Sequence, residues 1–206
     1  MALTTAALVR YYIPALTGNA SDTELDILIA RFDALAARFC GFPANTASVN
    51  PTLEDVEYRL YVDGPGGRVL RSPIHPLVSV TSIYDDPLMT YGADTLVAAT
   101  DYDGLSRLPA GIITLDADAV HGAWSEAEDA IKLTVVAGYE TIPQDIVEAC
   151  CQWVANKWMH RGLHGESSVA YNELNVSLTD KNDSLTPAVK AILAPHRNMT
   201  ALMLGL

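Results

Sequence analysis

Apolar residues along the chain change period twice, from helical spacing to alternation and back to helical spacing. Thr4 to Ile13 predicts a short helix ended by Pro14 and Gly18. Ser21-Asp-Thr-Glu24 has the spacing of a capping box, in which serine and glutamate side chains each satisfy a backbone N–H that a helix start leaves open. Behind it Leu25, Leu28, Ile29, Phe32, Leu35, Ala36 and Phe39 keep one helical face apolar up to a glycine stop at Gly41.

Ala44 to Pro51 is polar, and beyond it apolar and polar residues alternate. Val56–Val62 and Arg68–Arg71 flank Asp63-Gly-Pro-Gly-Gly67, which predicts a hairpin. Leu77–Tyr84 alternates up to Asp85-Asp86-Pro87, and Ile112–Leu115 and Ile131–Val136 supply two further strands. Residues 87–111 and 116–130 read as loops, with a short strand near Tyr102. The middle of the chain is thus expected to be a small, mostly antiparallel β domain.

A strand-to-helix joint closes it. Lys132–Val136 is β-branched and apolar, Gly138 breaks the strand, and Thr141 and Gln144 have capping-box spacing with Pro143 in the first helical turn. The helix of about 143–161 places Ile146, Cys150, Trp153, Val154 and Trp158 on one face. Gly162-Leu-His-Gly165 stops it, residues 163–185 read as a loop, and Thr186-Pro187 opens a last helix over Ala188–Leu193. The predicted class is α+β: a helical bundle core from residues 1–50 and 140–206, the latter with a C-terminal tail, and a β-rich insertion over 51–139.

Composition narrows the function classes. Half of the 206 residues are hydrophobic, enough for a substantial core. The net charge of −12 opposes nonspecific binding of nucleic acid, which runs on Lys and Arg against phosphate. Asp85 to Glu140 holds eleven carboxylates against Arg107 and Lys132, a pattern that reads first as a solvated face. No apolar run reaches the ~18 residues expected of a membrane span. Nor does the N-terminus have the basic and apolar regions of a secretory signal. Three cysteines, Cys40 and the neighbours Cys150 and Cys151, do not make a disulfide framework; they read as buried small hydrophobes of a chain made in a reducing cytoplasm.

Candidate chemistry is sparse. His160 and His164 have the spacing of a helical metal pair, but Gly162 lies between them and no third ligand is placed. Asp101-Tyr-Asp-Gly104 begins like a calcium loop without its closing Glu, and reads as a turn. Asp116, Asp118 and His121 lie in a loop with nothing to hold an acid–base geometry. Asp63-Gly-Pro-Gly-Gly67 lacks the Lys-Ser/Thr ending of a phosphate loop. Trp153, Trp158 and Tyr139 read as packing residues and not as a platform for stacked bases. No catalytic residue, cofactor or metal is therefore expected. The tail is different: after Pro195 it carries Met199, Leu202, Met203, Leu204 and Leu206, either folded back on the helices or waiting for a partner.

The order of these pieces resembles the head–tail connector, or adaptor, proteins of tailed bacteriophages and of phage-like gene-transfer particles. The resemblance rests on Leu3–Tyr12, on the long helix ending Arg38-Phe-Cys-Gly41, and on the strand from Leu70 to Asp86. The Val136–Ile146 joint and Ala188–Arg197 complete it. It implies a structural subunit without catalytic residues. Such a subunit forms a homo-oligomeric ring of roughly twelve copies on the portal protein, linking capsid to tail. Packaged DNA passes through without specific binding, no membrane is involved, and a stopper or tail-completion protein binds on the tail side. The location implied is the virion, at the head–tail interface, after synthesis in the bacterial host cytoplasm. The resemblance also implies portal docking by His196, Arg197, Asn198, Met199, Leu202, Met203, Leu204 and Leu206. Three alternatives stand beside it: a stopper or tail-completion protein, a metal-dependent hydrolase using Asp101, Asp103 and His121, and a monomeric ligand-binding module.

Overall fold

A computed structural model describes residues 3–13, 16, 18–45, 48–103, 107–161 and 185–198, together with the backbone of 168–171 and 174–177. The chain divides into two units. One comprises the residues up to Cys40 and from Ile142 to Arg197; the other runs from Gly41 to Thr141 and also includes Asn198.

The first unit is mainly helical. Its elements are α1 (Ala6–Arg10), α2 (Asp22–Cys40), α3 (Gln144–Met159), β7 (Ser168–Tyr171), β8 (Leu174–Ser177) and α4 (Pro187–Leu193). α1 is shorter than expected. Thr5 caps it, accepting from the Leu8 N–H, but beyond Arg10 the N–H groups of Tyr12 and Ile13 reach back only three residues, which tightens the backbone out of the α-helix. Arg10 clips the following loop, donating to the Gly18 carbonyl and Asn19 Oδ1 at 2.6 Å each and lying 3.3 Å from Asp22 Oδ1.

α2 begins one residue after Ser21 and buries Leu25, Ile29, Phe32, Ala36 and Cys40, the spacing of a single helical face. α3 buries Ile146, Cys150, Trp153, Val154 and Trp158, as the periodicity predicts. The two helices pack on one another with the Phe32 and Trp153 rings 5.7 Å apart. Such a tilted pair adds roughly 1 kcal/mol beyond its buried area. The expected capping box at Thr141 and Gln144 does not form. Pro143 is the N-cap residue, with no side-chain cap, and its carbonyl accepts from both Ile146 and Val147 at 3.1 Å. A second difference lies within 163–185, expected to be a loop. There β7 and β8 pair antiparallel, with Val169 opposite Val176 and Tyr171 opposite Leu174. Alternating Val, Tyr and Leu with Ser and Asn is strand chemistry that a polar average conceals.

The second unit holds two three-stranded antiparallel sheets formed by β1 (Val56–Val62), β2 (Val69–Arg71), β3 (Leu77–Asp85), β4 (Tyr102–Asp103), β5 (Ile112–Leu115) and β6 (Ile131–Ala137). One sheet has the order β1-β6-β3 and the other β2-β5-β4. The predicted hairpin is therefore wrong: β1 and β2 lie in different sheets. Two of the glycines between them, Gly64 and Gly66, serve close approach instead of reversal. Gly64 and Gly66 donate to the carbonyls of Ala127 and Ser125, and Trp124 donates to the Gly67 carbonyl. A Cβ on Gly64 would stand 1.9 Å from the Ser125 carbonyl oxygen.

β6 is the central strand of its sheet. Its Leu133, Val135 and Ala137 are fully buried, with Tyr58, Leu60, Leu77 and Ile83 from its neighbours. On the opposite face Lys132 stands across from Tyr61 on one side and Tyr84 on the other. Its ammonium lies 5.0 Å from the Tyr84 ring and 5.5 Å from that of Tyr91, an attraction of about 0.5–1 kcal/mol per ring at exposed sites. The Asp86 carboxylate brings Tyr91 there by accepting from the backbone of Leu88, Thr90 and Tyr91 and from the Thr90 hydroxyl. That hydroxyl, followed by the backbone donors, holds the Asp86 carboxyl below its usual range.

Candidate functional site

The segment expected to dock, from His196 onward, is described as far as Asn198; Met199, Leu202, Met203, Leu204 and Leu206 lie outside the described residues. All three described residues are held by this chain. His196 closes a short turn after α4, and its Nε2 lies 2.9 Å from Asp145 Oδ2 in the first turn of α3. Arg197 lays its guanidinium over the Phe39 ring, 5.0 Å from the centroid. Asn198 is fully buried, and its Oδ1 accepts the His75 N–H at 2.8 Å. The start of the tail is therefore an anchor. Sequence reasoning had no signal for this, because a polar Asn after a proline stop reads as solvent-facing.

The His196 contact lowers the Asp145 carboxyl below its ordinary value; partial burial opposes this, and the Ile146 N–H at 2.9 Å adds to the lowering. A carboxylate with a depressed folded-state pKa contributes stability above its unfolded pKa and loses it as pH falls through the folded value. Asp145→Asn is thus expected to destabilise near neutral pH, with a difference from the parent that vanishes as pH falls through and below the carboxylate range. Half of the Asp145 side chain faces solvent, so the effect stays under about 1 kcal/mol. Urea unfolding of both proteins across pH 2–7 measures it; a difference that grows toward acid would contradict it.

The candidate catalytic groups fall in both units. His160 Nδ1 lies 2.8 Å from the Asn156 carbonyl at the end of α3, and His164 lies outside the described residues. Asp101 and Asp116 meet through backbone, the Asp116 N–H donating to the Asp101 carbonyl at 2.9 Å, while Asp103 faces Thr114 in the β4–β5 ladder. Among the described residues no three His, Cys, Asp or Glu side chains converge as a metal site would need. All three cysteines are free and buried. Burial pushes the Cys40 thiol up to about 12 and raises Cys150 and Cys151 as well, so none is poised as a thiolate.

One concavity does lie in the second unit. A groove of about 580 Å³ runs beside the first half of β3, between Val78–Val80 and Ala99–Asp103, with Leu108 and Asp116 completing its lining. Tyr102 and Leu108 form a buried apolar part of it, and Asp103 and Asp116 bring carboxylates. Its walls come from residues that the sequence pattern assigns mostly to loops.

No family model matches the sequence, and comparison with curated proteins finds no match. Among solved structures, a chain from the virion of a native gene transfer agent (GTA) particle is similar, with a TM-score of 0.52 and 19% identity. The match covers 93% of this chain and 87% of that one. What the two share is a fold, along nearly the whole of both chains.

Proposed function

We propose that this chain is a structural head–tail connector, or adaptor, and not an enzyme. The observation that carries the reading is the fold shared, over 93% of the chain, with a component of a gene-transfer-agent virion. Copies of the chain form a ring of roughly twelve on the portal vertex, around the DNA exit and between capsid and tail. In this reading the helices of the first unit are the bundle at the core of the connector, and the two sheets are its decoration. The net charge of −12 supports the role, since an acidic wall lets DNA pass without holding it. His196, Arg197 and Asn198, which also fix the start of the tail, make the portal contact together with Met199, Leu202, Met203, Leu204 and Leu206. Synthesis takes place in the bacterial host cytoplasm, and the finished protein resides in the virion without contacting a membrane.

Electron microscopy of particles from producing cells tests this directly. Density for the chain is expected between portal and tail, and density elsewhere in the particle refutes the proposal. Purified portal rings should bind the chain unaided; binding only after another protein has docked would make it a stopper or tail-completion protein. Alanine at Asp101, Asp103 and His121 together should leave particle function intact. Loss of function in correctly assembled particles would favour a hydrolase instead.

A further inference from the structure

We infer that copies of this chain join edge to edge through the sheet β2-β5-β4, with β2 of one copy entering the groove along β4 of the next. The two edges of that sheet are β2 and β4. Hydrogen bonds fix which of their backbone groups face outward. The Leu115 N–H donates to the Arg68 carbonyl and the Ser72 N–H to the Gly111 carbonyl, so Arg68, Leu70 and Ser72 turn their groups toward β5. Val69 and Arg71 therefore turn theirs away from the sheet, and among the described residues no backbone group bonds to them there. At the other edge the Asp116 N–H donates to the Asp101 carbonyl, which leaves Tyr102 facing outward. Beside it runs the groove of about 580 Å³, whose far wall is Val78–Val80 of β3. β3 is itself an edge of the other sheet. Open edges offer main-chain pairing to another strand. β2 is three residues long, about 10 Å, and matches the stretch Val78–Val80.

Charge selects a second copy as the occupant. The register places Asp103 beside Thr114, Thr114 beside Val69 and Ile112 beside Arg71, so these side chains share one face of the sheet. Asp101 and Asp116, two residues before Asp103 and two after Thr114, fall on that face as well. At the β2 edge the face carries Val69 and Arg71, both exposed. Among the described residues Arg71 has no carboxylate partner. One sheet thus has an acidic edge and a basic edge, and every copy has both. Continuing the sheet, with its exposed face kept on one side, sets Arg71 of the next copy beside Asp101 and Asp103. Side chains facing each other on neighbouring strands lie about 5 Å apart. Physiological salt screens beyond about 8 Å, so this attraction survives while the repulsion between chains of net charge −12 is damped. Because the two edges differ, the contact is head to tail and repeats from copy to copy. In a connector it supplies the contact between ring neighbours, but it stands on the edges of the sheet and does not require the portal.

Disulfide trapping on the purified full chain tests the contact. Chains carrying Arg71→Cys with Asp103→Cys, or Arg71→Cys with Asp101→Cys, are oxidised mildly in concentrated solution. A series of covalent oligomers is expected from at least one pair, and only traces of dimer from each single variant. The native cysteines stay out of the reaction, since all three are buried. Sedimentation of unoxidised protein supplies a second readout. Arg71→Asp should weaken self-association several-fold, and adding Asp101→Arg and Asp103→Arg should restore it, with circular dichroism confirming that each variant is folded. Absence of the oligomer series from both pairs overturns the inference. Trapping of the single Arg71→Cys variant as strong as that of the pairs also overturns it, since like edges would then be meeting. Self-association of Arg71→Asp equal to the parent's does the same. Particle microscopy that placed the chain away from the portal would refute the connector and leave this result standing.

Discussion

Gly138→Ala is expected to destabilise the protein by roughly 4 kcal/mol, from backbone strain and overpacking together. The glycine has φ +121°, a region that side chains with a Cβ avoid. The space is also filled: an added Cβ would stand 2.2 Å from the Glu54 carbonyl oxygen, 2.6 Å from its carbon and 2.9 Å from the Asp55 nitrogen. All three are main-chain atoms, so no side chain can turn aside. Relief requires residues 53–55 to move away from the end of β6. That displaces the bonds from Tyr139 N–H to the Leu53 carbonyl and from Gly138 N–H to the Pro76 carbonyl, both 2.9 Å. Thermal unfolding should show a loss of about 10 °C for a chain of this length. Gly67→Ala, where nothing lies within 4 Å of the new Cβ, serves as control and should stay within about 0.5 kcal/mol. Equal behaviour of the two variants would disprove the close approach at Gly138.

A loss of about 4 kcal/mol is likewise expected for Trp124→Ala, because the ring leaves a large cavity that its neighbours cannot fill. Trp124 is 1% exposed, and its indole N–H donates to the Arg68 carbonyl at 3.2 Å. Its backbone N–H donates to Gly67. It therefore fastens residues 124–127 onto the glycine run between β1 and β2. Trp124→Phe keeps most of the ring and removes only the indole donor, so it should cost less, about 1–2 kcal/mol. Urea unfolding followed by circular dichroism separates the three proteins. If the alanine variant lost less than the phenylalanine variant, the fastening of residues 124–127 by the Trp124 ring would be disproved.

Local patterns were legible where one element carried its own signal. The apolar stripe of α2 and the face of α3 appeared in the sequence as they appear in the fold, because helical burial repeats within one segment. Strands β1–β6 were legible for the same reason, but their partners were not, and the polar stretch that holds β7 and β8 gave no such signal. Val56–Val62 and Val69–Arg71 look like two arms of a hairpin, yet β1 pairs with β6 and β2 with β5. Pairing depends on which distant surfaces fit. Here the fit includes a glycine at 64 with no room for a side chain and a tryptophan in a stretch rich in Asp, Glu, Ser and Gly. The candidate site divides in the same way. The apolar character of the tail was visible; the burial of Asn198 against His75 was not, since a single buried amide leaves no period in a sequence.

The first unit is discontinuous in the chain, and this has a consequence for synthesis. The ribosome completes α2 and then makes all of residues 41–141 before α3 begins. At about 5–20 residues per second, that leaves Leu25, Ile29 and Phe32 without the Trp153 side of their core for roughly 5–20 s. The intervening unit, contiguous except for Asn198, can meanwhile fold as it emerges. The nascent chain thus passes through a stage with a finished β unit and an amphipathic helix still waiting for its partner. During that interval the helix is a target for a chaperone or a site of premature association.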